Sequence, residues 1–188
     1  MPQRRVLIAS VLKPVDDPRM YEKMALSLSQ TNKYEINIIG FTAKNLPQVQ
    51  GIKFHTLGQF TRLSLQRILA PWRALRHAYR LKPSLLIVCS HELLLAGLCL
   101  KILTGCSLVY DVQENYWRNI LYGQGFPLLL RPFVAAWVRG KELLSRLWVD
   151  RYTLAEALYQ QEMPFLPHYS LILPNKYVAP TQSASSRY

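Results

Sequence analysis

The stretch SLLIVCSHELLLAGLCLKILTGCSLVYDV, residues 84–112, decides the fold class of this chain. Its first apolar run predicts a buried strand over Ser84–Cys89, and the longer run predicts a helix over Glu92–Leu103. Gly105 ends that helix, and Leu108–Val112 is typical of a second buried strand. A strand, a helix and a strand in such close succession predict a right-handed parallel crossover.

The same alternation of strand and helix extends toward the N-terminus. Strands are predicted over Arg5–Ser10, Glu35–Phe41 and Ile52–Leu57, with a helix over Arg19–Gln30. That helix starts at Asp17 and Pro18, because Asp caps helices and Pro costs nothing at the first helical position. Pro is costly inside a helix, so we expect the next helix to begin at Pro71. Its inward face is predicted to carry Trp72, Leu75 and Tyr79.

The C-terminal third continues the pattern less regularly. After Tyr116 we expect irregular chain, and then a second basic amphipathic helix over Leu128–Trp148. Three short elements complete the prediction: a strand over Arg151–Leu154, a helix over Ala155–Gln161 and a strand over Ser170–Leu173. Repeated strand–helix alternation predicts an α/β fold, an open and mostly parallel sheet with helices on both faces.

Composition limits the kinds of partner. The 188 residues include 23 Lys and Arg against 11 Asp and Glu, a formal net charge of +12, so a polyanionic partner is expected. Three cysteines, at positions 89, 99 and 106, have no paired metal spacing. That pattern favours reduced thiols in a cytosolic compartment over a disulfide framework.

Several common sites lack the residues they need. A nicotinamide fingerprint requires glycine after the first strand, and the first glycine here is Gly40. Neither a P-loop nor a Gly-x-Ser-x-Gly motif is present. Cys89, His91 and Glu92 are too few and too close together for a metal site, so we predict none. The N-terminal apolar run lacks a signal cleavage site, and charges interrupt residues 84–110 too often for a membrane span.

Polar residues follow four predicted strands. In open parallel sheets, ligands bind beyond the carboxyl ends of the strands, so these residues predict a functional cleft. They are Lys13–Arg19, Ser90–Glu92, Gln113–Asn115 and Pro174–Lys176. The densest segment, Asp111–Tyr116, has two interpretations: a capping turn, or a site whose carboxylates and amides bind sugar hydroxyls while Tyr116 or Trp117 stacks on a sugar face.

The basic charge is concentrated in one part of the chain. Between Ile36 and His91 there are eight Lys or Arg and no acidic residue, interleaved with aromatic and aliphatic side chains. This pattern favours helices that lie on anionic lipid headgroups, with an ordinary solvated face as the alternative. Nucleic acid is not a predicted partner, because no nucleic-acid-binding signature is present. The predicted membrane-facing residues are Arg62, Arg67, Arg73, Arg76, Arg80, Arg131 and Arg139.

Four motifs together carry a family resemblance. They are Asp17-Pro-Arg19-Met-Tyr21, Val109-Tyr-Asp111-Val-Gln-Glu114-Asn-Tyr116, Ala155-Glu156 and Leu173-Pro-Asn175. In this order and spacing, over about residues 4–178, the chain resembles the N-terminal, acceptor-side domain of bacterial family-four glycosyltransferases of the GT-B fold.

The resemblance implies a retaining transfer of sugar from a nucleotide-sugar to a lipid-linked or polysaccharide acceptor. It implies no metal and no tightly bound cofactor, with the nucleotide-sugar as co-substrate. Residues 1–178 would form the Rossmann-like acceptor-binding domain and 179–188 a linker or disordered tail. On the same resemblance, we expect the C-terminal donor-binding domain, with its Glu-x7-Glu pair, to be absent from this sequence. We expect a cytoplasmic protein, peripheral on the inner face of the cell membrane.

The resemblance also suggests roles for residues of the predicted cleft. Asp111, Gln113 and Glu114 are the predicted catalytic residues, although relatives commonly carry His where Gln113 stands, and Gln cannot transfer a proton. The predicted substrate-binding residues are Arg19, which would meet phosphate, His91, Glu92, Asn115, Tyr116 and Asn175. An alternative is a noncatalytic accessory subunit that binds acceptor or membrane and needs a separate donor-domain partner.

Overall fold

The computed structural model describes residues 3–43, 46, 49–58 and 64–175. Seven strands form one sheet in the order β3-β2-β1-β4-β5-β6-β7, and every neighbouring pair is parallel. The strands are β1 (Arg4–Pro14), β2 (Tyr34–Phe41), β3 (Ile52–Thr56), β4 (Leu85–Val88), β5 (Ser107–Val112), β6 (Arg151–Leu154) and β7 (Leu171–Ile172). The predicted α/β class with an open parallel sheet is confirmed.

The helices cover both faces of this sheet. A π-helical segment (Arg19–Ala25) leads into α1 (Leu26–Ser29), and later come α2 (Leu65–Leu81), α3 (Leu94–Thr104), α4 (Tyr116–Tyr122), α5 (Arg131–Ser145) and α6 (Tyr159–Glu162). Single 3₁₀ turns, His91–Leu93 and Leu128–Leu130, precede α3 and α5. Two buried clusters divide the core: one includes residues of α2 and α3, and the other includes Met20 and Met24 of the π-helical segment.

Helix α2 differs from its prediction in two ways. It begins at Leu65, because the Ser64 hydroxyl caps it by accepting from the Arg67 amide, and Pro71 lies inside it. Its buried residues are Ala70, Ala74 and Ala78. The prediction that Trp72 and Tyr79 face inward is wrong, since they are 57% and 49% exposed. A row of small side chains lets the helix lie close against the core, which leaves the bulky residues outside.

Two shorter elements also depart from the sequence prediction. The chain after Tyr116 is helical rather than irregular, because the Asn115 side chain caps α4 by accepting from the Arg118 amide. The short helix after β6 starts at Tyr159 instead of Ala155. Both differences lie close to the carboxyl edge of the sheet and affect which side chains reach it.

Candidate functional site

The carboxyl ends of the seven strands lie at one edge because all the strands are parallel. The chain order reverses between β1 and β4, which are direct neighbours, so the switch point of this sheet lies there. The segments that leave β1, β4, β5 and β7 carry the polar residues predicted from the sequence, except Lys176, which lies outside the described residues. The structure therefore brings the predicted segments to a single edge, but it gives their side chains different surroundings.

Arg19 and Asp111 form a buried ion pair at the centre of this edge. The Arg19 Nε atom donates to Asp111 Oδ2 at 2.8 Å, and Nη2 donates to Oδ1 at 2.6 Å. Asp111 also accepts from Gln113 Nε2 at 2.9 Å and from Thr153 Oγ1 at 2.6 Å. The side chain of Arg19 is 5% exposed and that of Asp111 is fully buried. Both carboxylate oxygens are thus occupied by partners from the chain itself.

The same guanidinium reaches the last strand. Arg19 Nη1 donates to the Leu173 carbonyl at 2.6 Å and to Asn175 Oδ1 at 2.8 Å. Burial opposes the positive charge, but the hydrogen bonds and charge of Asp111 outweigh it and raise the pKa of Arg19. Arg19 therefore ties together the segments after β1, β5 and β7. Its guanidinium is not free to meet a phosphate group, contrary to the role expected from the sequence.

Glu114 is the predicted catalytic residue that solvent reaches. Its side chain is 40% exposed, and its two oxygens accept from Lys13 Nζ at 3.2 Å and from Asn119 Nδ2 at 3.1 Å. Lys13 is 31% exposed, so the pair stands open at the edge where β1 and β5 end. A carboxylate, an ammonium and an amide side by side can accept from and donate to hydroxyl groups of a ligand.

Asn115 holds the local backbone together. Its side-chain oxygen accepts from the Arg118 amide and from Arg139 Nη2 at 3.0 Å, and its nitrogen donates to Glu162 Oε2 at 3.1 Å. The residue is buried, with 8% of its surface exposed. Every polar atom of this side chain has a partner within the chain. At Asn115, the contacts therefore support the capping-turn interpretation of the Asp111–Tyr116 segment.

His91 and Tyr116 pack against each other below the edge. Their rings lie 4.6 Å apart in an edge-on arrangement, and Lys141 Nζ lies 3.3 Å from His91 Nδ1. Burial lowers the pKa of His91 to about 4, so the imidazole is neutral at pH 7. Burial raises the pKa of Tyr116 well above its ordinary value, and its hydroxyl has no hydrogen-bond partner among the residues that the structure describes. Glu92 accepts from Arg67 Nη2 at 2.8 Å.

A buried group on α5 was missed by sequence reasoning. Glu142 is 1% exposed, accepts from the Tyr110 hydroxyl at 3.1 Å and lies 3.3 Å from Arg139 Nη1. Burial outweighs these partners and raises the pKa of Glu142 to about 7. The signal was present in the spacing, since Glu142 continues the buried row formed by Ala135, Val138 and Ser145 at steps of three and four.

The predicted membrane-facing arginines lie in different environments. Arg73, Arg76 and Arg80 are exposed on α2, whereas Arg67 is occupied by Glu92 and Arg139 is only 13% exposed. The guanidinium of Arg139 lies over the Trp117 and Phe165 rings, so it cannot face a membrane. Two remain: Arg131 is half-buried and donates to the Phe126 carbonyl, and Arg62 lies outside the described residues.

Three neighbouring helices expose a large apolar surface. Helix α3 packs between α2 and α5, and the outer sides of all three carry exposed aromatic or aliphatic residues. This helical apolar face consists of Leu65, Ile68, Leu69, Trp72, Tyr79, Leu95, Ile102, Leu103, Phe133, Trp137 and Leu144. No helix in the part of the chain that the structure describes is both long enough and apolar enough to cross a bilayer.

Metal ligands are not grouped at the edge. Among the described residues, no three His, Cys, Asp or Glu side chains are arranged to hold a metal ion. Cys89, beside His91 in sequence, is a fully buried free thiol, and burial raises its pKa well above the ordinary value. A thiol of this kind is not a nucleophile at neutral pH.

No protein-family model and no curated protein matches this chain. Solved structures do match it. TcCGT1 in complex with UDP superposes with a TM-score of 0.60 at 10% identity, covering 96% of this chain and 54% of that one. The chain has the Rossmann-like fold of one half of a GT-B glycosyltransferase.

Two further similar structures support this assignment of the fold. Anabaena Alr3699/HepE in complex with UDP and glucose gives a TM-score of 0.55 at 12% identity, over 93% of this chain and 45% of that one. The lipopolysaccharide outer core galactosyltransferase WaaB, in its apo form, gives 0.53 at 10% identity, over 95% and 47%. The chain thus spans about half the length of these structures.

Proposed function

We propose that this chain is the acceptor-binding half of a retaining, metal-independent glycosyltransferase, which moves a sugar from a nucleotide-sugar to a lipid-linked or polysaccharide acceptor. The observation that carries the proposal is the open Glu114, with Lys13 and Asn119, where β1 and β5 end beside the switch point of a sheet with the GT-B half fold. The similar HepE structure holds UDP and glucose, which agrees with a nucleotide-sugar as co-substrate.

The contacts suggest separate roles for the three predicted catalytic residues. Glu114 would accept hydrogen bonds from acceptor hydroxyls, because its carboxylate reaches solvent. Asp111 is a positioning residue, since it is fully buried and holds the Gln113 amide and the Arg19 guanidinium in place. Residues 1–178 would supply one wall of a cleft, and transfer needs both reactants held together, so a donor-binding domain must supply the other wall.

The helical apolar face supports a peripheral position on the cytoplasmic face of the membrane. Five of its side chains lie on α2, the helix that also carries the exposed Arg73, Arg76 and Arg80. Apolar side chains flanked by cations bind anionic bilayers through burial and electrostatic attraction together. Flotation with anionic vesicles at low salt, absent with neutral vesicles, is the expected result. Binding that ignores both lipid charge and salt would contradict the proposed position.

A noncatalytic accessory subunit is the second candidate. It is favoured by the environment of the Asp111–Glu114 segment, where Gln113 cannot carry a proton and Asp111 has no path to solvent. Such a subunit would bind the acceptor and the membrane while a separate chain provides the donor site.

Nucleotide release from labelled nucleotide-sugars tests both candidates. The chain is assayed alone, with membranes, and with a donor-binding chain, using Glu114→Gln beside Glu22→Gln, an exposed glutamate on the π-helical segment. Release that falls at least tenfold in Glu114→Gln only, with retained anomeric configuration by NMR, supports the transferase. Release only after the donor-binding chain is added, and unaffected by Glu114→Gln, supports the accessory subunit. An absence of release and of acceptor binding in every mixture contradicts both.

A further inference from the structure

A cavity of about 310 Å³ lies between the carboxyl end of β3 and the outer side of α2. It is separate from the Arg19–Asp111 pair and from Glu114, which belong to the segments after β1 and β5. Its lining residues are Thr56, Leu57, Arg73, Arg76, His77 and Arg80. Three of these six side chains are guanidinium groups, and none is a carboxylate.

Helical spacing explains why the cations meet in one place. Arg73, Arg76, His77 and Arg80 are separated by steps of three, one and three, which keeps all four on one side of the helix. That side borders the buried row of Ala70, Ala74 and Ala78, so the four residues lie next to the end of β3 while the three arginines remain exposed to solvent.

No acidic side chain neutralises this cluster. Arg73, Arg76 and Arg80 form no hydrogen bond or ion pair with any residue that the structure describes. Residues 36–91 contain no Asp or Glu, and the acids on either side are taken: Glu35 binds Arg5 and Lys53, and Glu92 binds Arg67. Three unpaired guanidiniums around one cavity repel each other, and a bound anion would relieve that repulsion.

Thr56 and Leu57, at the end of β3, form the other wall of the cavity. His55 lies behind His77, with ring centres 6.4 Å apart, and its Nε2 is 2.9 Å from Asn37 Oδ1. Thr56 adds a hydroxyl to the lining. Guanidinium groups form planar, paired hydrogen bonds with phosphate oxygens. A nearby hydroxyl can donate one more hydrogen bond to the same phosphate. The volume is at the small end for ligand pockets, so it suits a headgroup better than a whole nucleotide.

We propose that this cavity is a binding site for a phosphate-bearing group, a phosphomonoester or a pyrophosphate, held by Arg73, Arg76 and Arg80. The site does not depend on sugar transfer, because it uses none of Asp111, Gln113 and Glu114 and requires no turnover. It shares Arg73, Arg76 and Arg80 with the proposed membrane-binding surface. The phosphate could belong to a soluble metabolite or to a lipid headgroup, and the recognition chemistry is shared.

Calorimetric titration with inorganic pyrophosphate and with glycerol 3-phosphate tests the site. The triple variant Arg73→Gln/Arg76→Gln/Arg80→Gln is compared with Arg4→Gln/Lys33→Gln/Arg146→Gln, which removes the same charge at exposed positions elsewhere. We expect binding to the native chain and the control, and at least tenfold weaker binding to the α2 variant. Equal weakening in both variants would show diffuse charge attraction and overturn the proposal, as would no binding to the native chain. Far-UV circular dichroism checks that both variants are folded.

Vesicle flotation then separates the two sources of phosphate. Vesicles containing phosphatidic acid are compared with phosphatidylserine vesicles of equal charge. Preference for phosphatidic acid that pyrophosphate competes away, and that the α2 variant loses, assigns the site to a lipid headgroup. Pyrophosphate binding without any such preference assigns it to a soluble ligand. Binding of an oligonucleotide but not of pyrophosphate would overturn the proposal in favour of a nucleic-acid surface.

Discussion

Removing the Arg19 guanidinium should destabilise the protein far more than removing an exposed one. In Arg19→Met the unbranched side chain remains, but the fully buried Asp111 carboxylate keeps only Gln113 and Thr153 as donors. Breaking a buried pair in this way typically costs about 3–5 kcal/mol. Whole domains are stable by about 5–15 kcal/mol, so the loss should be plain in a urea titration.

The matched control is the exposed pair of Arg5 and Glu35, whose side chains are 49% and 26% exposed. Such pairs contribute about 1 kcal/mol or less, so Arg5→Met should barely shift the unfolding midpoint. A double variant, Arg19→Met with Asp111→Asn, should be more stable than Arg19→Met alone, because it leaves no unpaired buried charge. Equal free energies of unfolding for Arg19→Met and Arg5→Met, or no recovery of stability on adding Asp111→Asn, would refute the importance of the buried pair.

Three further changes test the packing and the buried charges by urea unfolding. Gly40→Ala should lower the free energy of unfolding by about 1–3 kcal/mol, because a Cβ there would lie 2.8 Å from the Lys13 carbonyl oxygen. Gly140 has open space around it, so Gly140→Ala should instead raise the free energy of unfolding by up to about 1 kcal/mol. Pro71→Ala should raise the free energy of unfolding by roughly 1–3 kcal/mol, because it restores a backbone amide inside α2. A lower free energy of unfolding would contradict this. Glu142 in the folded chain holds its proton up to a pKa of about 7 against an ordinary 4.5, so its burial destabilises the fold increasingly as pH rises through that interval. The stability of Glu142→Gln relative to the native chain should therefore rise by about 2 kcal/mol between pH 5 and 8, and a difference that does not change with pH would refute the buried-charge argument.

The sequence predicted the architecture because local patterns carry it. The apolar runs around Gly105 specify two buried strands and their crossover helix, and parallel strands must place their carboxyl ends at one edge. Asp17 was correctly predicted as a cap, since its carboxylate accepts from the Arg19 and Met20 amides. Patterns of this kind depend on neighbours within a few residues, which a sequence displays directly.

The pairing of side chains was decided only in three dimensions. Arg19 and Asp111 are 92 positions apart, and the sequence suggested two groups facing a ligand where the fold joins them to each other. The inward side of α2 was chosen by close approach to the core, which selects alanines over the larger Trp72 and Tyr79. Periodicity fixes which residues share a face. The free energy of burying a charge or a ring, however, depends on what packs against it. Distant segments supply those partners only once the sheet is assembled.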